Sequence, residues 1–160
     1  RPKISSHRML FGFAHIKDNL AVVINSWLNA YEKLEPALNL YFASITGAHR
    51  YVDQKFLSLA QGLETYHRRT SGAKCMGEVE FRALVDHLLD QCPDEWKEWL
   101  EGRLAYSNEF SLAQRLKEVI KPFKKHFGNS KDRERFVRYV VDTRNYLTHY
   151  DESLEARACS

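Results

Sequence analysis

An arginine and a histidine stand five positions apart near the end of the chain, in the segment RNYLTHYD at residues 144–151. Arg144 keeps its charge at every physiological pH, and His149 belongs to the residue type that titrates near neutrality. Such a pair suits the cleavage of RNA by its own 2′-hydroxyl, because a histidine can move the proton while a guanidinium stabilises the extra charge on the phosphate. This chemistry needs no metal ion and leaves a 2′,3′-cyclic phosphate.

Arg144 falls on the apolar stripe of the helix that this region predicts. It follows Val137, Val140 and Val141 by seven, four and three positions, which is the spacing of one helix face. A guanidinium on a core-facing stripe needs a carboxylate or a bound anion as its partner. The spacing alone leaves a second interpretation open, in which Arg144 forms a salt bridge in the core and His149 caps the helix C-terminus.

The residues around this pair are suited to contacting a ligand. Asn145 directly follows the arginine and can hydrogen-bond a phosphate or support the motif. Tyr146 and Tyr150 flank the histidine, and tyrosines in such positions can stack on unpaired bases. The alternative is that both rings pack on the protein with their hydroxyls in water.

A second constellation lies on the predicted central helix, where Glu64, His67 and Arg68 follow one another closely. Glu64 can pair with Arg144 and orient its guanidinium, and His67 can line the same cleft. Arg68 is a candidate RNA-binding residue. The alternative is a structural ion pair beside a core histidine whose nitrogens are all hydrogen-bonded.

Charge is distributed unevenly along the chain. Residues 77–109 hold nine acids and three bases, a net charge of −6, whereas residues 115–144 hold ten bases and four acids, a net charge of +6. The basic segment suits a polyanion such as RNA, and Arg138 within it is a further candidate RNA-binding residue. Alternatively, the acidic and basic helices face each other or the solvent.

The hydrophobic pattern predicts helices and no convincing strand. Apolar residues recur at spacings of three and four, and glycine, proline or capping residues separate the segments. Pro36 is predicted near the start of a second helix, and Pro122 is predicted to kink or split a later one. The predicted helices span residues 16–33, 37–45, 49–69, 77–91, 93–104, 111–127 and 131–147. We expect an all-α bundle over residues 16–160, with a linker or strand remnant of an upstream domain at 1–15.

Composition excludes several classes of protein. A chain of 160 residues that is 44% hydrophobic can bury its own core, and no apolar run approaches the roughly 20 residues of a membrane span. Cys75, Cys92 and Cys159 are widely spaced and form neither a disulfide framework nor a zinc motif. We therefore expect a cytoplasmic protein that does not contact a membrane.

One pattern raises the alternative of a metal enzyme. Glu64 and His67 have the i, i+3 spacing of di-iron carboxylate bundles, which need two such pairs and two further glutamates. The sequence contains only one such pair, so we expect no metal and no cofactor.

Two blocks of sequence carry a family resemblance. The segments KFLSLAQGLETYHRRT (55–70) and VVDTRNYLTHYDESLEARA (140–158) are similar to the HEPN domain of ApeA-like anti-phage proteins, and RNYLTHYD resembles the R-x(4–6)-H signature of the HEPN superfamily. The resemblance implies an all-α bundle that acts as a metal-independent endoribonuclease in anti-phage or toxin-type defence. It implies that Arg144 and His149 are catalytic, and that two copies of the motif meet across a homodimer to form one composite site on RNA.

The ends of the sequence depart from the family pattern. HEPN domains normally carry another helix after the motif, and this sequence ends eleven residues past His149. We therefore expect the bundle either to be truncated at its C-terminal helix or to receive that helix from a partner. The sequence begins with Arg1, so we also expect an upstream sensor or regulatory domain. Two further readings stay open: a non-catalytic HEPN module that binds nucleic acid or protein, and a helical interaction domain without nucleic acid.

Overall fold

Helices joined by short turns form the described part of the chain. The computed structural model describes residues 11–47 and 50–158, and an isolated bridge between Lys74 and Glu109 is its only extended pairing within those ranges. The predicted all-α class is confirmed. The helices are α1 (Phe13–Ile16), α2 (Leu20–Ile45), α3 (Val52–Thr70), α4 (Glu78–Asp90), α5 (Asp94–Leu104), α6 (Leu112–Ile120), α7 (Ser130–His149) and α8 (Glu152–Glu155), with 3₁₀ segments at Lys17–Asn19 and Lys121–His126.

The core lies where α3, α6 and α7 meet. Leu116, Ile120 and Val137 form its buried cluster, and half-buried Phe136 and Val140 pack against it. A capping box between Ser111 and Gln114 begins α6, in which apolar residues recur every fourth position. Because α6 and α7 bury these stripes against each other, the last helix turns its Arg144 side toward the interior of the bundle.

The α2–α3 pair packs through small residues. A Cβ on Gly62 would lie 3.5 Å from the carbonyl oxygen of Ala37, so the two helix backbones approach closely at this point. Beside the crossing, residues of α2 and α3 line an apolar groove of about 200 Å³. This packing fixes α3, which carries Glu64, His67 and Arg68.

The two predicted helices on either side of Pro36 are one continuous helix, so the predicted break there is wrong. Proline removes one backbone donor from the interior of α2. Side chains on both sides of it, Leu34 and Leu38, line the groove shared with α3. Packing along α3 therefore keeps the helix continuous despite the missing hydrogen bond.

Three further expectations about the chain's elements have clear outcomes. Pro122 does end α6, since residues Lys121–His126 tighten into a 3₁₀ segment. The helix predicted over residues 131–147 is α7, which is capped by Asn129 and extends to His149 rather than ending at Leu147. Of the predicted linker or strand, residues 1–10 lie outside the described residues, and Phe13–Ile16 form a helical turn rather than a strand.

Candidate active site

Helix α7 carries Arg144 and His149 on different sides. Five residues of α-helix turn by roughly 500°, so the two side chains leave the helix axis roughly 140° apart. Arg144 is half-buried and faces α3 and α6, whereas His149 is exposed in the last turn. A single chain therefore presents the guanidinium and the imidazole in different directions.

Arg144 lines a cleft of about 390 Å³ between α3, the start of α6 and α7. Its Nη1 donates to Oδ1 of the adjacent Asn145 at 3.1 Å. Across residues 11–47 and 50–158, no ion pair joins Arg144 to a carboxylate. The other cleft-lining residues come from α3 and from the α5–α6 connection: Glu64, Arg68, Tyr106, Glu109, Phe110, Ser111 and Leu112.

Glu64 pairs with Arg68 rather than with Arg144. Nε and Nη2 of Arg68 donate to Oε1 of Glu64 at 3.3 and 3.2 Å, and its Nη1 donates to Oε2 of Glu109. The hydrogen bond from Arg68 holds the pKa of the Glu109 carboxyl below its usual value, and the positive charges of Arg68, Lys74 and Arg115 add to this effect. Glu64 and Arg144 thus share the cleft without a direct ion pair.

Arg115 lies in the core next to the cleft and holds Glu109, one of the cleft-lining residues. Its side chain is only 4% exposed, and all three of its nitrogens donate hydrogen bonds. Nε donates to the Phe110 carbonyl at 2.9 Å, Nη1 to Nδ1 of His67 at 3.1 Å, and Nη2 to Oε2 of Glu109 at 3.0 Å. In the sequence, Arg115 is one of the ten bases of residues 115–144 and was not singled out as a candidate site residue. Its spacing from Leu112 and Val119, at three and four positions, was the available signal of burial.

His67 is buried in the core beside Arg115, and both of its ring nitrogens have hydrogen-bond partners. Arg115 can only donate, so Nδ1 of His67 accepts; Nε2 therefore carries the proton and donates to Glu118 at 2.9 Å. The ring also stacks on Phe110, with centroids 6.0 Å apart. These contacts match the interpretation of His67 as a hydrogen-bonded core histidine.

Two tyrosines bracket His149. The rings of Tyr146 and Tyr150 pack edge to face with centroids 5.9 Å apart, and Tyr150 ends α7 in the left-handed backbone region at φ 50°. Just beyond, hydrogen bonds from Ser153 lower the pKa of Asp151, with smaller contributions from Arg157 and from His149.

Arg138 lies on a different face, in a groove of about 630 Å³ between α6 and α7. Asp132 is already engaged there, since it accepts hydrogen bonds from Arg135 and from the backbone of Asn129. The charged side chains that line the groove are Lys117, Lys131, Arg135 and Arg138 with Asp132, Glu134 and Asp142. The groove is therefore basic on balance, in keeping with the net charge of its segment.

The described part of the chain shows neither a metal cluster nor a membrane span. No three His, Cys, Asp or Glu side chains gather there in a way that could hold a metal ion. None of the helices described combines the length and apolarity needed to cross a membrane.

A family model described as Apea-like HEPN matches residues 57–158. The match spans more than half of the 160 residues, so the chain belongs to the Apea-like HEPN family. It includes most of α3, with Glu64 and Arg68, and all of α7, with Arg144 and His149. Comparison with curated proteins and with solved structures found no match. Family membership indicates a nuclease or another RNA-related role.

Proposed function

We propose that this chain is a metal-independent endoribonuclease domain in which Arg144 and His149 act on the same phosphodiester. The observation that carries the proposal is the position of Arg144. Arg144 lines an open cleft, and its guanidinium has only the Asn145 amide as a side-chain partner among the described residues. A charged group in that position is suited to an anion, and the phosphate of RNA is the anion that a HEPN family member would bind.

In the proposed reaction, the 2′-oxygen of the RNA attacks the adjacent phosphorus and the 5′-oxygen leaves. One proton is removed from the 2′-hydroxyl and another is delivered to the leaving oxygen; His149 moves one of these two protons. Arg144 binds the scissile phosphate and neutralises the charge that develops on it. Asn145 orients the guanidinium through their hydrogen bond. The products are a 2′,3′-cyclic phosphate and a free 5′-hydroxyl.

The divergence of the two side chains favours a composite site. Because Arg144 and His149 leave α7 roughly 140° apart, a second copy of the chain can supply the histidine that faces the arginine of the first. We therefore propose a homodimer on RNA, with Arg144 of one protomer and His149 of its partner at one phosphate. The exposure of His149 at the end of α7 fits this arrangement.

The remaining candidate residues receive supporting roles. Glu64 acts through Arg68, which it holds at the cleft, and His67 acts through Arg115. We assign Arg68, Arg138, Tyr146 and Tyr150 to RNA contacts. The ApeA-like family further suggests a cytoplasmic defence setting with an upstream regulatory domain.

The test is cleavage of bulk tRNA in EDTA by the full-length protein. We expect the parent to produce cyclic-phosphate ends, and we expect Arg144→Ala and His149→Ala to produce them at least about 100-fold more slowly. His87→Ala is a matched control, because His87 is also an exposed histidine in the last turn of a helix. Equal cleavage by the parent and by both motif variants would show that the site assignment is wrong.

A non-catalytic RNA-binding module is the second candidate. The basic groove between α6 and α7 favours it, because phosphate contacts alone give salt-sensitive binding without turnover. Tight binding of tRNA by a folded, dimeric parent that yields no cyclic-phosphate ends would support this candidate over the nuclease.

A further inference from the structure

We propose that the cleft beside Arg144 is a binding subsite for one unpaired nucleobase, and that Tyr106 is the residue on which this base stacks. The proposal rests on the proposed function, because the base would belong to a nucleotide next to the scissile phosphate. Tyr106 was not among the sequence candidates.

The dimensions and lining of the cleft suit a nucleotide. Its volume of about 390 Å³ falls within the range of roughly 300–1,000 Å³ that is typical of small-ligand sites. It combines two aromatic side chains, Tyr106 and Phe110, with the guanidinium of Arg144. Aromatic faces beside a cation are the combination that single-stranded nucleic acid requires, since bases stack while phosphates pair with positive charge.

Tyr106 combines an anchored backbone with an exposed ring. Its side chain is 78% exposed, and its carbonyl accepts from the amide of Glu109 at 3.0 Å. The same turn is tied down by buried Asn108, whose side chain bonds both the N–H and the carbonyl of Met76 at 2.9 and 3.1 Å. A rigid backbone that holds an aromatic ring in solvent lowers the entropy cost of stacking a base on it.

The charged groups in the cleft determine which way a nucleotide enters. Glu64 and Glu109 lie on the same side as Arg68 and are paired with it, so a phosphate placed there would meet two carboxylates. Arg144 has no such carboxylate partner among the described ion pairs, and it offers the favourable position for the phosphate. The base then lies toward Tyr106 and Phe110.

The charged side chains on the Arg68 side of the cleft are already held in place before a base binds. Arg68 is held by two carboxylates, and Arg115 fixes Glu109 from the buried side. Because these groups are already paired, binding a base does not require them to reorganise. The cleft keeps its shape in the free protein.

The experiment measures binding of a short, unstructured, fully 2′-O-methylated oligonucleotide to the full-length protein by fluorescence anisotropy. The modification blocks cleavage, so binding is read independently of catalysis. We expect Tyr106→Ala to weaken binding by about fivefold to 100-fold, the loss of one stacked base. Tyr106→Phe keeps the ring and should stay within about twofold of the parent.

A control and a second probe separate stacking from general damage. Tyr51→Ala removes another exposed tyrosine, 63% exposed and not a cleft-lining residue, and we expect it to bind like the parent. Thermal unfolding should be unchanged in Tyr106→Ala because the ring is exposed. A series of oligonucleotides, each with one abasic position, should show one position whose loss weakens the parent but not Tyr106→Ala.

The outcomes distinguish this subsite from the nuclease proposal. If Tyr106→Ala binds as tightly as the parent, the subsite is wrong even where the parent cleaves tRNA. If the parent binds no oligonucleotide, the subsite is likewise overturned. If Tyr106→Ala loses binding while the parent cleaves nothing, the subsite stands and the nuclease proposal fails.

Discussion

Arg115 donates through Nη1 to Nδ1 of His67 at 3.1 Å, and both side chains are buried. This bond fixes the histidine as the neutral tautomer that carries its proton on Nε2. It also connects the core to the surface, because the same guanidinium holds Glu109, and Glu109 holds Arg68 at the cleft. The geometry of the candidate site thus depends on an ion network that begins inside the bundle.

Removal of this buried guanidinium should destabilise the fold. Arg115→Met removes the donor of the hydrogen bonds to His67, to Glu109 and to the Phe110 carbonyl. Because the Arg115 side chain is only 4% exposed, we expect a loss of about 1–3 kcal/mol in the free energy of unfolding, the cost of buried acceptors left unpaired. Urea titration followed by circular dichroism measures it. Arg135→Met is the control, since Arg135 is 58% exposed in its ion pair and should change stability by less than about 1 kcal/mol. Equal losses in the two variants would contradict the network.

His149 should matter for turnover and not for folding or binding. We expect His149→Ala to lower the cleavage rate by about 10²–10⁴-fold, the usual contribution of a general acid or base. Its exposed position at the end of α7 predicts an unchanged melting temperature. Rates with saturating tRNA and binding of a 2′-O-methylated oligonucleotide are the two measurements. A large drop in binding would reassign His149 from proton transfer to RNA contact.

Low pH should destabilise the folded state, because it protonates Glu109. Its pKa is lowered in the folded state, chiefly by the hydrogen bond from Arg68. The carboxylate therefore contributes stability above the ordinary glutamate pKa of about 4.3, and this contribution is lost as the pH falls through the folded pKa. Melting temperatures of the parent and Glu109→Gln, measured from pH 7 to pH 3, should converge toward the acid end. If the melting temperatures of the two proteins instead fall in parallel with pH, Glu109 is not a source of the acid sensitivity.

Pro36 should destabilise α2 relative to an alanine at the same position. Pro36→Ala restores a backbone donor to the interior of a continuous helix, and we expect stabilisation of about 1–3 kcal/mol. Chemical denaturation measures the change. Pro93→Ala is the comparison, because Pro93 stands at an N-cap where no intrahelical donor is missing. A destabilised Pro36→Ala variant would show that α2 relies on the proline ring.

The groove between α6 and α7 should contribute electrostatic affinity for RNA. Arg138→Ala removes one of the basic side chains that line it. We expect the slope of log Kd against log salt concentration to decrease by about one unit, which corresponds to the loss of one phosphate contact. Arg82→Ala, an exposed arginine of α4, is the control and should leave the slope unchanged. Identical slopes for the parent, Arg138→Ala and Arg82→Ala would show that the RNA does not bind in the groove between α6 and α7.

Local signals were sufficient for most of the helices. The 3.6-residue periodicity and the break at Pro122 are contained in a few neighbouring residues. Helices α3 and α6 accordingly end and begin within about a residue of the predicted bounds at 69 and 111, and α6 ends just before Pro122. The R-x4-H motif is equally local, so Arg144 and His149 could be named as candidates from the sequence. The continuity of α2 through Pro36 could not be predicted, because packing against α3 overrides the local preference.

The sequence by itself determined the class of fold, the family and the pair of residues that carry the candidate chemistry, since each depends on residues close together in the chain. Only the tertiary structure decided how side chains from different helices meet. It joined Arg68 to Glu109, buried Arg115 against His67, and placed Tyr106 in one cleft with Arg144. These contacts join residues more than thirty positions apart, and a spacing rule that works along one helix carries no information about the distance between two helices.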